Sequence, residues 1–230
     1  MKSKTYGLTK KENNTYHLIS RENKELIGEQ EILEHWNKRA EREDVQTVMS
    51  ARHSLEDNIN ATIELQKEIK NFLGNLMINK NIFEMGVGIG RMTQLLARNN
   101  NSIYGIDISR VMLNKAEINL NGFKNIKLIL GKITQIEITK RFDLVFDSIV
   151  LLHILNFEEL KKTISKMQEL SDNIFLVEHT YEGENFLISR YSILRKFEEY
   201  ESLFKPYKLI KMKEHFCVGD RFTLMLFKKV

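Results

Sequence analysis

The stretch Asn81-Ile82-Phe83-Glu84-Met85-Gly86-Val87-Gly88-Ile89-Gly90-Arg91 decides the fold of this chain. A strand at Asn81–Glu84 runs into a turn with glycine at every second position, and a helix at Arg91–Arg98 follows. Such a turn places backbone amides at a helix N-terminus, where a ligand can approach closely because Gly86, Gly88 and Gly90 carry no Cβ. The dinucleotide fingerprint requires Gly-x-Gly-x-x-Gly. Here the third glycine comes one residue early, and Arg91 stands where that fingerprint needs glycine.

Downstream of Gly74, short apolar runs alternate with helical patterns, the mark of βαβ units and a parallel sheet. The spacing predicts further strands at Ser102–Asp107, Ile126–Leu130, Leu144–Asp147 and Ile174–Glu178, and helices at Val111–Asn119 and Phe157–Leu170. A helix is expected around Ser189–Phe204. The stretches Lys208–Phe216 and Arg221–Lys229, around Val218-Gly219-Asp220, read as an antiparallel hairpin, which makes the sheet mixed. Upstream, Ile32 to Leu73 is helical in pattern. Ile32, Leu33, Trp36 and Ala40 share one face there, Ile63, Leu65, Ile69, Phe72 and Leu73 recur at threes and fours, Asp57 or Asn58 can cap the second of these helices, and Gly74 can end it. The first thirty or so residues are polar enough to be partly disordered or loosely docked.

The chain has 230 residues, 42% of them hydrophobic, enough for one sizeable core. We therefore expect a single domain, with residues 1–74 a helical extension or lid on residues 75–230. No apolar run approaches the roughly 20 residues of a membrane helix, and the N-terminus lacks the apolar region of a secretory signal, so a cytoplasmic protein is expected. One cysteine, Cys217, excludes a disulfide framework, a radical iron–sulfur mechanism and any metal cluster that needs several thiolates; no metal is expected. The net charge of +4 is spread along the chain without a basic block, which argues against nucleic acid as a partner.

Asp107 ends the strand after the glycine turn, twenty-one residues beyond Gly86. A carboxylate there can accept hydrogen bonds from both hydroxyls of a ribose bound across the neighbouring turn. With this pair in place, the chain from about Ile82 onward resembles the class I S-adenosylmethionine-dependent methyltransferases, through Glu84–Gly90 and Asp107. The resemblance implies an α/β Rossmann-like three-layer sandwich with a mostly parallel seven-stranded sheet, a C-terminal antiparallel hairpin and an N-terminal helical lid. It implies S-adenosyl-L-methionine as cofactor and S-adenosyl-L-homocysteine as product.

Position by position, the resemblance assigns Gly86, Gly88 and Gly90 to the methionine part of the cofactor and Arg91 to its carboxylate. Ile108 follows the ribose acid. Lys132 and Ile133 stand where relatives place the residues beside adenine, with Lys132 in the place of a common aspartate. Asp147 and Ser148 end the fourth strand near the sulfonium. Glu34–Ala40 is similar to a lid helix in which an aromatic and an arginine, here Trp36 and Arg39, cover the cofactor; core packing explains Trp36 equally well.

A sulfonium methyl is strongly electrophilic, so such an enzyme chiefly aligns a nucleophile with it and removes water. An oxygen or protonated amine also needs a base. His153, Glu178 and His179 are the candidates, because all lie near predicted C-terminal strand ends. The fourth strand ends in Asp147-Ser148-Ile149-Val150 and lacks the double proline of enzymes that methylate base amines. Cys217, in the terminal hairpin, is badly placed for pyrimidine C5 chemistry. The expected acceptor is a small molecule methylated on O or N, with a homodimer allowed and no membrane or nucleic-acid partner. Two other readings stay open: a peptide, protein or RNA methyltransferase, and a nucleotide-binding protein without transferase activity.

Overall fold

A computed structural model of the chain describes residues 6–12, 15–20, 26–49, 53–99, 101–181 and 190–230. Its centre is a seven-stranded sheet in the order β5-β4-β3-β6-β7-β9-β8, formed by β3 (Asn81–Met85), β4 (Ser102–Asp107), β5 (Ile126–Leu130), β6 (Leu144–Ser148), β7 (Asn173–Glu178), β8 (Lys208–Cys217) and β9 (Asp220–Lys228). The first five pair in parallel, and β9 enters antiparallel between β7 and β8. This is the mixed sheet expected from the sequence. Val218 and Gly219 both have positive φ, 51° and 75°, which lets a two-residue turn join β8 to β9 with the twist an antiparallel pair needs.

The chain builds β3, β4 and β5 outward on one side of the sheet, then returns to β3 and builds β6 and β7 on the other. A crevice therefore opens at the carboxyl ends of β3 and β6, where the winding reverses. The helices that cover the sheet are α3 (Arg91–Ala97), α4 (Arg110–Asn119) and α5 (Phe157–Leu170), after α1 (Glu29–Arg39) and α2 (Leu55–Leu73), and before the short α6 (Phe197–Leu203). Strand parity divides the core. Ile82, Leu144, Phe146, Phe175 and Val177 face α2 and α3, whereas Phe83, Val145, Ile174 and Leu176 face α5 and α6.

Three expectations change. The polar N-terminal segment contains an antiparallel pair, β1 (Tyr6–Glu12) with β2 (Thr15–Ser20), where no regular element was expected. Of the two helices expected before Gly74, which a short 3-10 turn at Asp44–Thr47 separates, the second is capped by Ser54, which accepts from the Asp57 amide at 3.0 Å, and not by Asp57 or Asn58. Ile63 lies on its exposed side. The helix expected at Ser189–Phe204 is confined to Phe197–Leu203: Ser189 lies outside the described residues, and 190–196 is a turn and extended chain. Among the described residues, no helix is long and apolar enough to cross a membrane.

Candidate functional site

The crevice is a cavity of about 700 Å³, floored by the ends of β3, β4 and β6 and roofed by the start of α1. Of the residues singled out in the sequence, Trp36, Glu84, Gly86, Gly88, Arg91, Asp107, Ile108, Lys132, Ile133, Ser148 and His153 line it. Arg39, Gly90, Asp147, Glu178 and His179 do not.

The glycine turn is shaped by its contacts. Gly86 has φ +61°, and a Cβ there would lie 2.3 Å from Val150 Cγ2. The next strand fixes the turn, because Asp107 accepts from the Gly88 amide through Oδ2 and from the Ser109 amide through Oδ1, both at 2.8 Å. Ser109 in turn accepts from the Met112 amide and donates to Asn37 Oδ1 at 2.6 Å, so one carboxylate ties together the turn, the cap of α4 and the lid helix α1. Behind the turn, burial pushes the Glu84 carboxyl up to about 8, and burial lowers Arg91 to about 10. Gly90 sits away from the cavity because it caps α3 and packs against Leu120.

The roof is latched at several points. Lys132 forms an ion pair with Glu29, and Glu31 accepts from Arg190 Nε at 2.8 Å and Tyr191 Oη at 3.0 Å. Trp36 enters the cavity and meets the His153 ring edge-on at 4.7 Å. Arg39 instead turns its guanidinium back to donate to the carbonyls of Thr47 and Met49, stacking over Trp36 on the way. It braces the lid rather than reaching the cavity.

The three candidate bases separate. His153 lines the cavity, and its Nδ1 lies 2.6 Å from the Tyr191 carbonyl. A carbonyl accepts only, so Nδ1 carries the proton and Nε2 keeps its lone pair. Burial lowers its pKa to about 3, which keeps the ring neutral. His179 bonds the Arg221 carbonyl through Nδ1 at 2.8 Å and packs on Phe222, so it serves the terminal hairpin. Glu178 is fully buried and accepts from the Leu151 amide at 2.8 Å.

Asp147 is also fully buried and pairs with Glu178 beneath the floor. Parity explains this. Both side chains fall on the face that α5 and α6 cover, along with Val145 and Leu176. Burial and mutual repulsion raise the Asp147 carboxyl well above its usual range, and burial holds Glu178 up to about 7. Carboxyls with raised folded-state values bind more protons folded than unfolded, so their stabilisation is complete below pH ~4.5 and is lost as pH rises through about 7. In urea titrations from pH 5 to 8.5, Glu178→Gln should flatten this decline, because glutamine cannot ionise. Parallel slopes for the variant and wild type would exclude the pair as its source.

Two features escaped the sequence. Ile149, at the end of β6, has φ +62°, a strained conformation for a β-branched residue, and it lines the cavity. No residue-type signal marks it. Arg195 is 1% exposed and donates to the carbonyls of Leu151, Ile193 and Ile154. It stitches the loop before α6 to the loop after β6.

A sequence profile described as "methyltransferase domain" matches residues 82–172. Phosphoethanolamine N-methyltransferase 1 of Triticum aestivum is 34% identical over 92 residues, which are 38% of this chain and 18% of that one. The match thus spans under a fifth of the relative's length. Similar solved structures include magnesium protoporphyrin IX methyltransferase of Synechocystis PCC 6803 with bound S-adenosylhomocysteine, at 16% identity, TM-score 0.67, and 88% and 100% of the two chains. N-methyltransferase NodS of Bradyrhizobium japonicum WM9, also holding S-adenosylhomocysteine, aligns at 13% identity, TM-score 0.69, and 86% and 98%. The 1,6-didemethyltoxoflavin-N1-methyltransferase of Burkholderia thailandensis aligns at 13% identity, TM-score 0.60, and 74% and 78%.

Proposed function

We infer, for a chain that belongs to the class I S-adenosylmethionine-dependent methyltransferases, that it methylates O or N of a small molecule inside the cavity under α1. The single observation that carries the choice of acceptor is the roofed, largely apolar cavity of about 700 Å³, a size typical of small-molecule sites. Its floor fits S-adenosylmethionine, because Gly86 leaves room for close approach and the buried Glu84 Oε2 and Ser148 Oγ have no hydrogen-bond partner among the described residues. When bound, the cofactor supplies an electrophilic methyl group.

The chain's own residues divide the remaining work. Glu84, Gly86, Gly88 and Arg91 hold the amino-acid end, Asp107 the ribose, and Ile108, Lys132 and Ile133 the adenine side. Trp36 and the Glu29–Lys132 ion pair close the roof and exclude water. His153 presents an unprotonated Nε2 to the acceptor side, where Asn156, Glu159 and Lys162 also line the cavity. A ring so hard to protonate orients the acceptor by accepting a hydrogen bond, and does not store its proton.

Calorimetry with S-adenosylmethionine, S-adenosylhomocysteine and NAD, followed by turnover with a panel of small amines and hydroxy compounds, tests the reading. Binding of both sulfur cofactors but not NAD, and methylation of a panel member, are expected. His153→Ala should then lower kcat/KM about 10- to 100-fold without changing cofactor affinity. Methylation of a peptide or RNA but of no small compound would overturn the assignment of acceptor.

A further inference from the structure

Helix α2 lies against the edge strand β8, and their contacts form regular rungs. Lys211 Nζ donates to the Phe72 carbonyl at 2.6 Å, and Lys213 pairs with Glu68. Next, Cys217 Sγ donates to Glu64 Oε2 at 3.0 Å. The helix steps back by four residues while the strand advances by two or four. Four helical residues rise about 6 Å and two strand residues about 6.6 Å, so the first two rungs match in spacing; the third takes four strand residues, about 13 Å, for the same helical step. At the first two rungs a lysine ammonium meets an oxygen acceptor. At the third, the carboxylate of Glu64 meets no lysine; it meets a thiol and an imidazole.

One ligating atom each from Glu64, His215 and Cys217 lies within 4.8 Å of the others. His215 and Cys217 are two apart on β8 and so project to the same face. Cys217 is 8% exposed, and the buried Nε2 of His215 has no hydrogen-bond partner among the described residues. Asp220 stands opposite Cys217 in the hairpin register and adds negative charge beside the thiol. The cations nearby are engaged elsewhere, Lys213 by Glu68 and Arg221 by Glu214. Glu64 is exposed, which gives an ion a path from solvent.

We propose that Glu64, His215 and Cys217 form a binding site for a zinc-class divalent cation that joins α2 to the terminal hairpin. One thiolate sulfur, one imidazole nitrogen and one carboxylate oxygen are ligands that Zn²⁺ accepts together, with water completing a tetrahedron. Binding forms the metal–sulfur bond and releases the thiol proton to solvent, so affinity falls as pH is lowered. The expectation of no metal rested on the number of cysteines; this site needs only one. It lies outside the residues of the cofactor cavity.

The test is titration of the full chain, freed of metal by chelation, with Co²⁺ and then Zn²⁺. Wild type should bind one Co²⁺ with a near-ultraviolet thiolate-to-cobalt absorption band, which Zn²⁺ abolishes. Zn²⁺ at a hundredfold excess over its Kd should raise the melting midpoint by roughly 5–10 °C. Cys217→Ser should remove the band, and His215→Gln or Glu64→Gln should weaken binding by about tenfold or more. The partly exposed His215 and the exposed Glu64 keep the test available if Cys217→Ser does not fold. Absence of the band in wild type, its survival in Cys217→Ser, or an equal zinc-induced rise in melting for all variants would overturn the site.

Discussion

Asp107→Ala should weaken S-adenosylmethionine binding by at least about 100-fold, the largest loss expected from any single cavity residue. The carboxylate accepts from the amides of Gly88 and Ser109 at 2.8 Å each, and charge-assisted hydrogen bonds are worth about 1.5–3 kcal/mol apiece. Their loss frees the glycine turn on one side and the α4 cap on the other. Ser109 also holds Asn37 of α1, so the roof loosens as well. Part of the loss appears as lower stability, and the rest as an untemplated turn together with missing ribose contacts. Asp107→Asn keeps one acceptor oxygen and should lie between the two. Calorimetry would check this, and a Kd for Asp107→Ala within about threefold of wild type would show that neither the turn nor the ribose depends on this carboxylate.

Arg195→Ala should destabilise the fold by about 3–5 kcal/mol, the cost typical of breaking a buried charged cluster by removing one partner. The guanidinium serves three carbonyls, and its charge lowers the Glu178 carboxyl, which burial would otherwise raise further. Removing it takes a donor from the carbonyls of Leu151, Ile193 and Ile154, of which Leu151 keeps the Ile154 amide, and leaves Glu178 and Asp147 without a balancing cation. The affected loops carry His153 and Tyr191, so catalytic turnover should fall along with stability. Urea unfolding measures the first effect. A loss below about 1 kcal/mol would mean that the loops are held by backbone pairing such as Ile193 N to Leu152 O, and that the guanidinium is incidental.

Much of this was legible in the chain. The alternation of short apolar runs with amphipathic stretches located all seven strands of the main sheet to within a residue or two, because each element's burial pattern is a local property. The glycine turn and Asp107 were legible for a related reason. In a βαβ unit the two parallel strands pair about 4.8 Å apart, so the residues that end them stand side by side whatever the crossover between them. The first hairpin was missed because β1 ends in the charged run Lys10-Lys11-Glu12 and β2 is only six residues long, although Asn13-Asn14 between Glu12 and Thr15 is a turn signal. The helix at Ser189–Phe204 was overextended for the opposite reason. Apolar residues at 193 and 194 and an arginine at 195 read as an amphipathic helix, yet they run extended into the interior.

By itself, then, the sequence determined which segments become strands, where the glycine turn lies, and that Asp107 stands beside it, since those features depend on period and spacing alone. Tertiary structure decided the roles of the charged residues at strand ends. Asp147 and Glu178 sit at positions that resemble catalytic ones, but parity and the packing of α5 and α6 turn both beneath the floor. Ser148 and His153, one and six residues beyond Asp147, come up into the cavity. A one-residue step along a strand reverses the face a side chain presents, and what covers that face is settled by elements distant in the chain.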